Sequence, residues 1–391
     1  MLSQNTPVHI KLWHRDFWLL AFANLLIAMA VYMLVPVLPG SMIAAGYQPW
    51  QAGVCMLLFA VGMFIPGPLC SYLIQRFRRN RVCIFATGGV MVCLLLMLNA
   101  IPTTAADGSR WWLMALLRLA TGIMFGIAQM VLMSTLVIDI SESFQRTEAN
   151  HASAWFGRLA LSLGPVVAVV LMTHEGIASI LLAAAVCSLI AALLVRFVKF
   201  PFKAPEENMR VFSLDRFFLP KGKWLFVNLM LTTTVVGMVL SMEHSATFYA
   251  MMMCGFLLSL LAQKFVFANA EIKSEVVSAL ILIGAALLMM HSSNQKAIVF
   301  IAPILIGMGT GIAGARYLLF FIKLSSHCQR GTSVSTYLLS WESGLGIGLC
   351  AGCMLLSAPS TLLYVALAIT ILSLAMYLLF THSWFMKNKN R

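Results

Sequence analysis

Charged residues are scarce in this chain of 391 residues. Only 10% of its residues are Asp, Glu, Lys or Arg, whereas a typical soluble domain carries about 25%. Hydrophobic residues make up 61% of the sequence, and the mean hydropathy is +0.92. A soluble globular domain is therefore excluded. The composition indicates an integral membrane protein, for which the bilayer is the solvent.

Signatures of several catalytic and energy-coupling sites are also missing. No phosphate-binding GxxxxGK[ST] loop is present, which argues against an ATP-driven pump. No cluster of catalytic side chains occurs near one interface, which argues against an enzyme. Gly309, Gly311 and Gly314 match a dinucleotide fingerprint by letters, but they lie inside an apolar run that no strand precedes. Cys350 and Cys353 have the spacing of a metal or redox pair without a third ligand nearby, so we expect neither metal nor cofactor.

Apolar runs long enough to cross a bilayer occur twelve times. A spanning helix needs roughly 20 such residues. The runs cover residues 17–38, 52–74, 82–101, 112–138, 152–173, 177–197, 223–242, 245–267, 275–291, 297–321, 332–357 and 360–381. The first run is too long for a removable signal peptide and lacks a small-residue cleavage site. We predict an all-α integral membrane protein with twelve transmembrane helices.

Basic residues are distributed unequally between the predicted loops. With the N-terminus inside, one face holds most of them, including Arg76, Arg79 and Arg330, and the other holds only Arg110 and Lys296. The positive-inside rule then predicts a multi-pass protein with both termini cytoplasmic, in the cell (inner) membrane. The same bias explains the net charge of +13 as a topology signal and a contact for anionic lipid heads, not a nucleic-acid surface.

Two arginines, Arg118 and Arg158, lie within apolar runs. A charge at bilayer depth costs at least ~2.5–3.5 kcal/mol on insertion scales, so it normally faces a wet cavity or a partner. Gly122 and Gly126 between them form a small-residue face that favours close helix packing. The dipeptide Gly164-Pro165 is expected to break a helix inside the membrane. The pattern suggests a polar path through a helical bundle.

Residues 67–82, GPLCSYLIQRFRRNRV, resemble the loop between helices 2 and 3 of the major facilitator superfamily, whose pattern is roughly GxLaDRfGRRxv. Positions that agree are Leu73, Arg76, Phe77, Arg79 and Val82, whereas Ser71, Gln75 and Arg78 replace the first glycine, the aspartate and the second glycine. Arg118, Gly122 and Gly126 resemble the family's helix-4 pattern, and Gly164-Pro165 resembles its antiporter-type helix-5 motif without the last glycines. The resemblance implies two pseudo-symmetric six-helix bundles around a central cavity.

Internal similarity supports two related halves. Residues 1–197 would form an N-terminal six-helix bundle, 198–222 a cytoplasmic central loop, and 223–391 a C-terminal six-helix bundle. Weak similarity between two such halves is typical of the parallel repeat in this transporter fold. Shifts of 184 or 185 residues superimpose Arg146 on Arg330, Arg158 on Glu342, Gly164 on Gly348, Gly122 on Gly307, and Gly126 on Gly311.

Polar residues within the spans are the candidates for a central site. The expected cavity residues are Asn24, Arg118, Arg158, Arg316, Tyr317 and Trp341. Glu342, the one acidic residue placed deep in a span, is the expected proton-coupling carboxylate, with Glu243 and Asp139 as the next candidates. Two alternatives for Glu342 are a static ion pair with Arg158 and a hydrogen-bonded anchor for a neighbouring helix.

A second group of residues is expected at the cytoplasmic ends of the helices. Because basic loop residues need acidic partners on adjacent helix ends, the sequence predicts a gate that is closed in one state and open in the other. Its expected members are Gln75, Arg76, Arg79, Asp139, Glu142 and Arg330.

Together these patterns favour a secondary transporter that moves a small solute by alternating access. The helix-5 resemblance favours proton-coupled efflux, an antiport, of an amphipathic compound or metabolite by a monomer. Proton-coupled import of an organic anion is an alternative, because Arg118, Arg158 and Arg316 outnumber Glu342 in the spans. A membrane sensor or scaffold that no longer transports is an alternative of another class.

Overall fold

The computed structural model describes residues 11–101, 108–198, 210–292, 295 and 297–390. Within these ranges the chain is helical and contains no strand. Residues 199–209 of the predicted central loop and Lys296 lie outside the described residues. The twelve long helices are α1 (Arg15–Tyr32), α2 (Pro49–Arg76), α3 (Arg79–Ala100), α4 (Arg110–Asp139), α5 (Arg146–Glu175), α6 (Ile177–Phe197), α7 (Pro220–Leu240), α8 (Ala246–Val266), α9 (Ile272–Ser292), α10 (Ile298–Leu324), α11 (Arg330–Met354) and α12 (Pro359–Asn388).

Eleven of these helices are long and apolar enough to cross a membrane, and α11 is the exception. Although its 25 residues include many serines and threonines as well as Glu342, most of them are buried inside the protein. A helix that contacts other helices rather than lipid can carry polar side chains, provided that they find partners. The twelve predicted spans therefore correspond to twelve long helices.

The outward-facing surfaces of the peripheral helices are apolar. On α6, for example, Leu182, Val186, Leu189 and Leu193 are all exposed and lie along one side of the helix. A continuous apolar surface of this kind would be unfavourable in water but suits contact with lipid. The surface therefore agrees with the membrane assignment that the composition suggested.

Glycines bring corresponding helices into close contact in both halves of the chain. In the first half, α2 and α4 cross at Gly62 and Gly122, and a side chain at Gly122 would overlap the backbone of α2. In the second half, α8 and α10 cross at Gly255 and Gly307, where a side chain at Gly307 would overlap the backbone of α8. The repeat detected in the sequence thus reappears as a repeated helix contact.

A second repeated contact joins the first and fifth helices of each half. Gly164 brings α5 against α1, where a Cβ atom on Gly164 would lie 3.2 Å from the carbonyl oxygen of Met29. Gly348 brings α11 against the backbone of α7 in the same way. The predicted helix break at Gly164-Pro165 is wrong for this structure, because α5 continues through it. A single proline removes one backbone hydrogen bond, and the helices packed around it can keep the helix intact.

The bundle has two ends that differ in their loops. The basic end contains the α2–α3, α4–α5 and α10–α11 connections, and the far end contains the α1–α2, α5–α6, α7–α8 and α11–α12 connections. At the far end α2 and α11 pack closely, since a Cβ atom on Gly53 would lie 2.8 Å from the carbonyl oxygen of Cys350. At the basic end, residues 210–219 lie between the two halves. The centre of the bundle is therefore covered from both ends.

Candidate functional site

Two small adjoining cavities lie in the middle of the bundle. Tyr32 of α1 and Glu342 of α11 line both of them. The first cavity combines polar and apolar groups, and its lining includes Asn24, Gln129, Arg158, Tyr337 and Trp341. The second is largely apolar, and its lining includes Val31, Val35, Met56, Phe59, Arg118, Leu161, Leu240 and Leu349.

Glu342 lies at the boundary between the two cavities and is only 5% exposed. Its Oε1 atom accepts a hydrogen bond from the hydroxyl group of Tyr32. This contact joins α1 of the first half to α11 of the second half. A change in the protonation of Glu342 would therefore act directly on the interface between the halves.

Arg158 of α5 is buried and lines the first cavity. Its Nη1 atom donates a hydrogen bond to the Tyr337 hydroxyl group at 3.1 Å. Its Nε and Nη2 atoms have no hydrogen-bond partner among the described residues. Arg158 and Glu342 line the same cavity, but they form no ion pair here. The static ion pair considered from the sequence is absent in this conformation, because each side chain bonds to a tyrosine.

Arg118 of α4 lines the second cavity and is only 1% exposed. Its Nε atom lies 3.5 Å from the carbonyl oxygen of Cys55, and its guanidinium carbon lies 4.9 Å from the ring centroid of Phe59. Its Nη1 atom has no partner among the described residues. Arg118 is therefore held inside the protein and does not reach toward the membrane surface.

Asn24 takes part in a chain of buried amides at the wall of the first cavity. Its Nδ2 atom donates to the carbonyl oxygen of Ser153 on α5 at 2.8 Å, and its Oδ1 atom accepts from Gln129 Nε2 on α4 at 2.9 Å. These bonds hold α1, α4 and α5 together beside Arg158. Trp341 lines the same cavity, as the sequence predicted.

Arg316 and Tyr317 of α10 lie away from both cavities, contrary to the sequence prediction. Arg316 forms an ion pair with Glu275 of α9, in which Nε donates to Oε2 at 2.7 Å. Tyr317 donates its hydroxyl hydrogen bond to Asn228 of α7. The side of α10 that carries these residues faces its own half of the bundle. Glu275 is also buried, although it lies in the first turn of α9 rather than deep in the span.

Glu243 is exposed in the α7–α8 turn at the far end, outside the central cavities. The neighbouring His244 is packed against Phe248 with a ring distance of 3.7 Å, and its Nε2 atom lies 2.8 Å from the carbonyl oxygen of Val239. Burial lowers the pKa of His244 to about 4, although its hydrogen bond to Val239 acts in the opposite direction. Proton coupling through Glu243 stays a prediction.

Only one of the predicted gate contacts occurs among the described residues. Arg79 at the start of α3 forms an ion pair with Asp139 at the end of α4. Gln75 and Arg76 are exposed. Within the described ranges no ion pair involves Arg76, Glu142 or Arg330. The role of these residues as a gate stays a prediction.

Residues 210–219, named here the bridging segment, connect both halves at the basic end. Arg216 donates from Nη1 to the carbonyl oxygen of Ser134 on α4 at 2.8 Å and from its backbone nitrogen to Thr332 Oγ1 on α11 at 2.9 Å. Thr332 donates in turn to Asp215 Oδ1 at 2.9 Å, and Leu219 donates from its nitrogen to Thr336 Oγ1 at 2.8 Å. The sequence did not reveal this contact, because the segment has the composition of a solvated loop.

Sequence reasoning also missed Tyr32, Gln129 and Tyr337, which line the first cavity. Each is a single polar side chain inside an otherwise apolar run. That pattern was a usable signal, because a polar group in a span needs a partner or a water-filled space. Amides and hydroxyl groups in the spans therefore indicate the cavity in the same way as the charged residues do.

Twelve helices around a central cavity are the arrangement of a membrane transporter, and the comparisons define the family. The family model described as the Major Facilitator Superfamily matches residues 20–349. The chain therefore belongs to the major facilitator superfamily. A search of curated proteins found no match.

Solved structures of transporters share the fold. A point mutant of the nucleoside transporter NupG aligns with a TM-score of 0.68 and 12% identity, over 93% of this chain and 99% of that chain. A bacterial homologue of the iron transporter ferroportin in an outward-facing state aligns with a TM-score of 0.65 and 15% identity, over 95% of this chain and 99% of that chain. The human organic anion transporter MFSD10 (TETRAN) aligns with a TM-score of 0.63 and 15% identity, over 93% of this chain and 99% of that chain. At these identities the likeness shows the fold alone.

Proposed function

We propose that this membrane transporter is a secondary active transporter that moves a small solute with an anionic group by alternating access, coupled to protons through Glu342. The observation that carries the proposal is the pair of unpartnered Arg158 donors, among the described residues, in the cavity that Glu342 also lines. In this proposal the basic end faces the cytoplasm, and a single copy of the chain is sufficient.

The unpartnered donors of Arg158 support an anionic group on the solute. A buried donor without a partner costs about 1–3 kcal/mol, and more when the group is charged. A carboxylate or phosphate can accept two parallel hydrogen bonds from a guanidinium group and supplies the opposite charge. An anion at Arg158 would therefore satisfy both free nitrogen atoms at once.

The surroundings of Glu342 support proton coupling. A buried carboxylate is expensive unless it is paired, and in this structure Glu342 contacts a neutral tyrosine rather than a cation. Taking up a proton removes the charge, and approach of Arg118 or Arg158 during the cycle would favour its release. The carboxyl group can therefore alternate between two protonation states as the halves move.

We propose efflux as the direction, by antiport with protons, in line with the helix-5 resemblance at Gly164-Pro165. The apolar lining of the second cavity supports an amphipathic solute. Import of an organic anion is a second candidate, because the free donors of Arg158 fit an anion in either direction. The two are distinguished in vesicles of known orientation, since only the importer accumulates solute together with inward proton flow.

Glu342→Gln tests the coupling in proteoliposomes, with an acid found by thermal-shift screening of the purified protein as solute. We expect accumulation driven by a pH gradient to disappear while exchange of solute without a gradient continues. The matched control is Glu148→Gln, because Glu148 is an exposed carboxylate on α5. Accumulation equal to that of the parent would exclude Glu342 as the coupling site. Absence of any solute movement in the parent would favour a sensor or scaffold.

A further inference from the structure

The first cavity contains an unpaired acceptor as well as the unpaired donors of Arg158. Gln129 is only 3% exposed, and its Oε1 atom has no hydrogen-bond partner among the described residues. Its side chain lines the first cavity together with Arg158. The cavity therefore offers a solute two donors and one acceptor that no described protein group satisfies.

The orientation of the Gln129 amide follows from the amide chain. The carbonyl oxygen of Ser153 can only accept, so Asn24 must direct its NH₂ group toward Ser153 and its Oδ1 atom toward Gln129. Gln129 must then direct its NH₂ group toward Asn24 Oδ1. A flip of either amide would place two donors or two acceptors against each other. The Oε1 atom of Gln129 is therefore left for another partner.

The surrounding backbone leaves room for this chain of amides. A Cβ atom on Gly157 would lie 3.1 Å from Asn24 Nδ2, closer than is usual for such a contact. Gly157 and Ser153 both lie on α5, and the missing side chain of Gly157 allows Asn24 of α1 to approach Ser153. Asn24 acts as a positioning residue, because it orients Gln129 through a hydrogen bond.

We propose that Gln129 Oε1 binds a hydrogen-bond donor of the solute while Arg158 binds its acid group. The substrates would then be small organic acids that also carry a hydroxyl or amino group. This inference rests on the proposed function, because it assumes that the first cavity binds the solute. A simple acid would satisfy Arg158 but would leave Gln129 Oε1 without a partner, which makes it a poorer ligand.

Matched pairs of acids test the inference on the purified full-length protein by thermal shift. The probes are lactate with propionate, and 3-phenyllactate and phenylalanine with 3-phenylpropionate. We expect the hydroxy or amino member to bind about tenfold more tightly than the simple acid, which corresponds to one hydrogen bond. In Gln129→Leu this preference should disappear while binding of the simple acid remains.

Two further variants separate specificity from damage to the fold. Gln129→Glu keeps the acceptor and adds a charge, but it loses the bond that Gln129 donates to Asn24 Oδ1. It should shift the preference toward the amino acid, and it remains informative if Gln129→Leu does not fold. Asn228→Leu is the matched control: it removes a buried amide that donates to the Ser373 carbonyl oxygen at 3.0 Å, outside both cavities. It should leave the preference unchanged.

The outcomes distinguish the inference from the proposed function. Equal binding of both members of each pair, or a preference that survives in Gln129→Leu, would overturn the inference and leave the anion site intact. Binding of no acid at all, or binding of every acid unchanged in Arg158→Met, would overturn both. A preference lost in Gln129→Leu, retained in Asn228→Leu and shifted in Gln129→Glu would establish Gln129 as a specificity-determining residue.

Discussion

Arg118 illustrates how far the sequence determines the environment of one residue. Its position inside an apolar run predicted that it would face the interior, and the structure places it against a carbonyl oxygen, a methionine sulphur and the ring of Phe59. None of these neighbours carries a negative charge. The guanidinium group therefore contacts a carbonyl oxygen, a sulphur atom and the face of an aromatic ring, and Glu342 lines the same cavity.

We expect Arg118→Lys to reduce transport about tenfold or more, although the charge is kept. Lysine cannot stack as a plane on Phe59, and it has no Nε donor for the carbonyl oxygen of Cys55. Initial rates of solute uptake in proteoliposomes measure the effect. Arg196→Lys, near the end of α6, is the control and should transport normally. Normal transport by Arg118→Lys would show that only its charge matters.

The direction in which a polar side chain points was the least predictable property of single residues. Trp341 and Glu342 were expected in the cavity and lie there, whereas Arg316 and Tyr317 were expected there and face their own half. Hydropathy identifies a span, but the rotation of a helix about its axis depends on partners that are distant in sequence. Glu275, the partner of Arg316, lies 41 residues away along the chain.

At the scale of helices, the spacing of glycines correctly predicted a face on which another helix packs closely. Gly122 was expected on a packing face, and a side chain there would overlap the backbone of α2. The sequence could not show which helix would be the neighbour. It also could not show that α5 continues through Pro165, because this depends on the helices packed around it.

Gly122→Ala should destabilise the protein by about 1–3 kcal/mol, since the added methyl group must separate α2 from α4. Thermal unfolding of the purified protein in detergent measures the change as a lower Tm. Gly88→Ala is the matched control, because Gly88 lies inside α3 and no described atom beyond its own stretch of helix lies within 4 Å of the position that its methyl group would take. Gly88→Ala should be neutral or slightly stabilising. An unchanged Tm for Gly122→Ala would contradict the packing argument.

The α7–α8 turn provides a pH-dependent prediction. Burial lowers the pKa of His244 to about 4 in the folded protein, whereas histidine in an unfolded chain has a pKa of about 6.5. The neutral ring therefore makes its full contribution to the free energy of unfolding above about pH 6.5. This contribution decreases as the pH falls toward 4, and at pH 5 it is smaller by about 2 kcal/mol. His244→Gln should show a smaller fall in Tm between pH 7.5 and pH 5.

His174 offers the control for this measurement, because it is exposed at the end of α5. His174→Gln should retain the acid sensitivity of the parent. If His244→Gln loses as much stability between the two pH values as the parent does, the buried neutral ring is not the cause. The sensitivity would then belong to other groups.

For the whole molecule, the sequence predicted the number of helices, the repeat and the family. At the basic end it suggested contacts between basic loop residues and acids on adjacent helix ends, but it did not predict a segment that connects the two halves. The structure instead shows the bridging segment between α4 and α11, with Arg216 in the left-handed region at a φ of 59°. Such a conformation in a residue other than glycine is held by surrounding contacts. The bridging segment is therefore a candidate for the part that must move when this end opens.

We expect Thr332→Val to open the basic end more often. The change removes the hydrogen bond that Thr332 donates to Asp215 and the one it accepts from Arg216, while the side-chain shape is kept. Two such bonds correspond to about 1–2 kcal/mol, which would raise the open fraction roughly 5–30-fold. Ser335→Cys reports this opening, because Ser335 is a buried residue one turn further along α11. Its rate of labelling by a polar maleimide should rise by that factor in Thr332→Val.

The measurement requires a background that carries Cys328→Ser, because Cys328 is exposed while the other native cysteines lie within spans. Thr173→Val is the control, since Thr173 is exposed near the far end of α5 and bonds only within its own helix. It should leave the labelling rate unchanged. Labelling that is equally slow in Thr332→Val would show that the bridging segment does not hold this end closed. Closure would then depend on the direct contact between α4 and α11, where a Cβ atom on Gly331 would lie 2.6 Å from the carbonyl oxygen of Ser134.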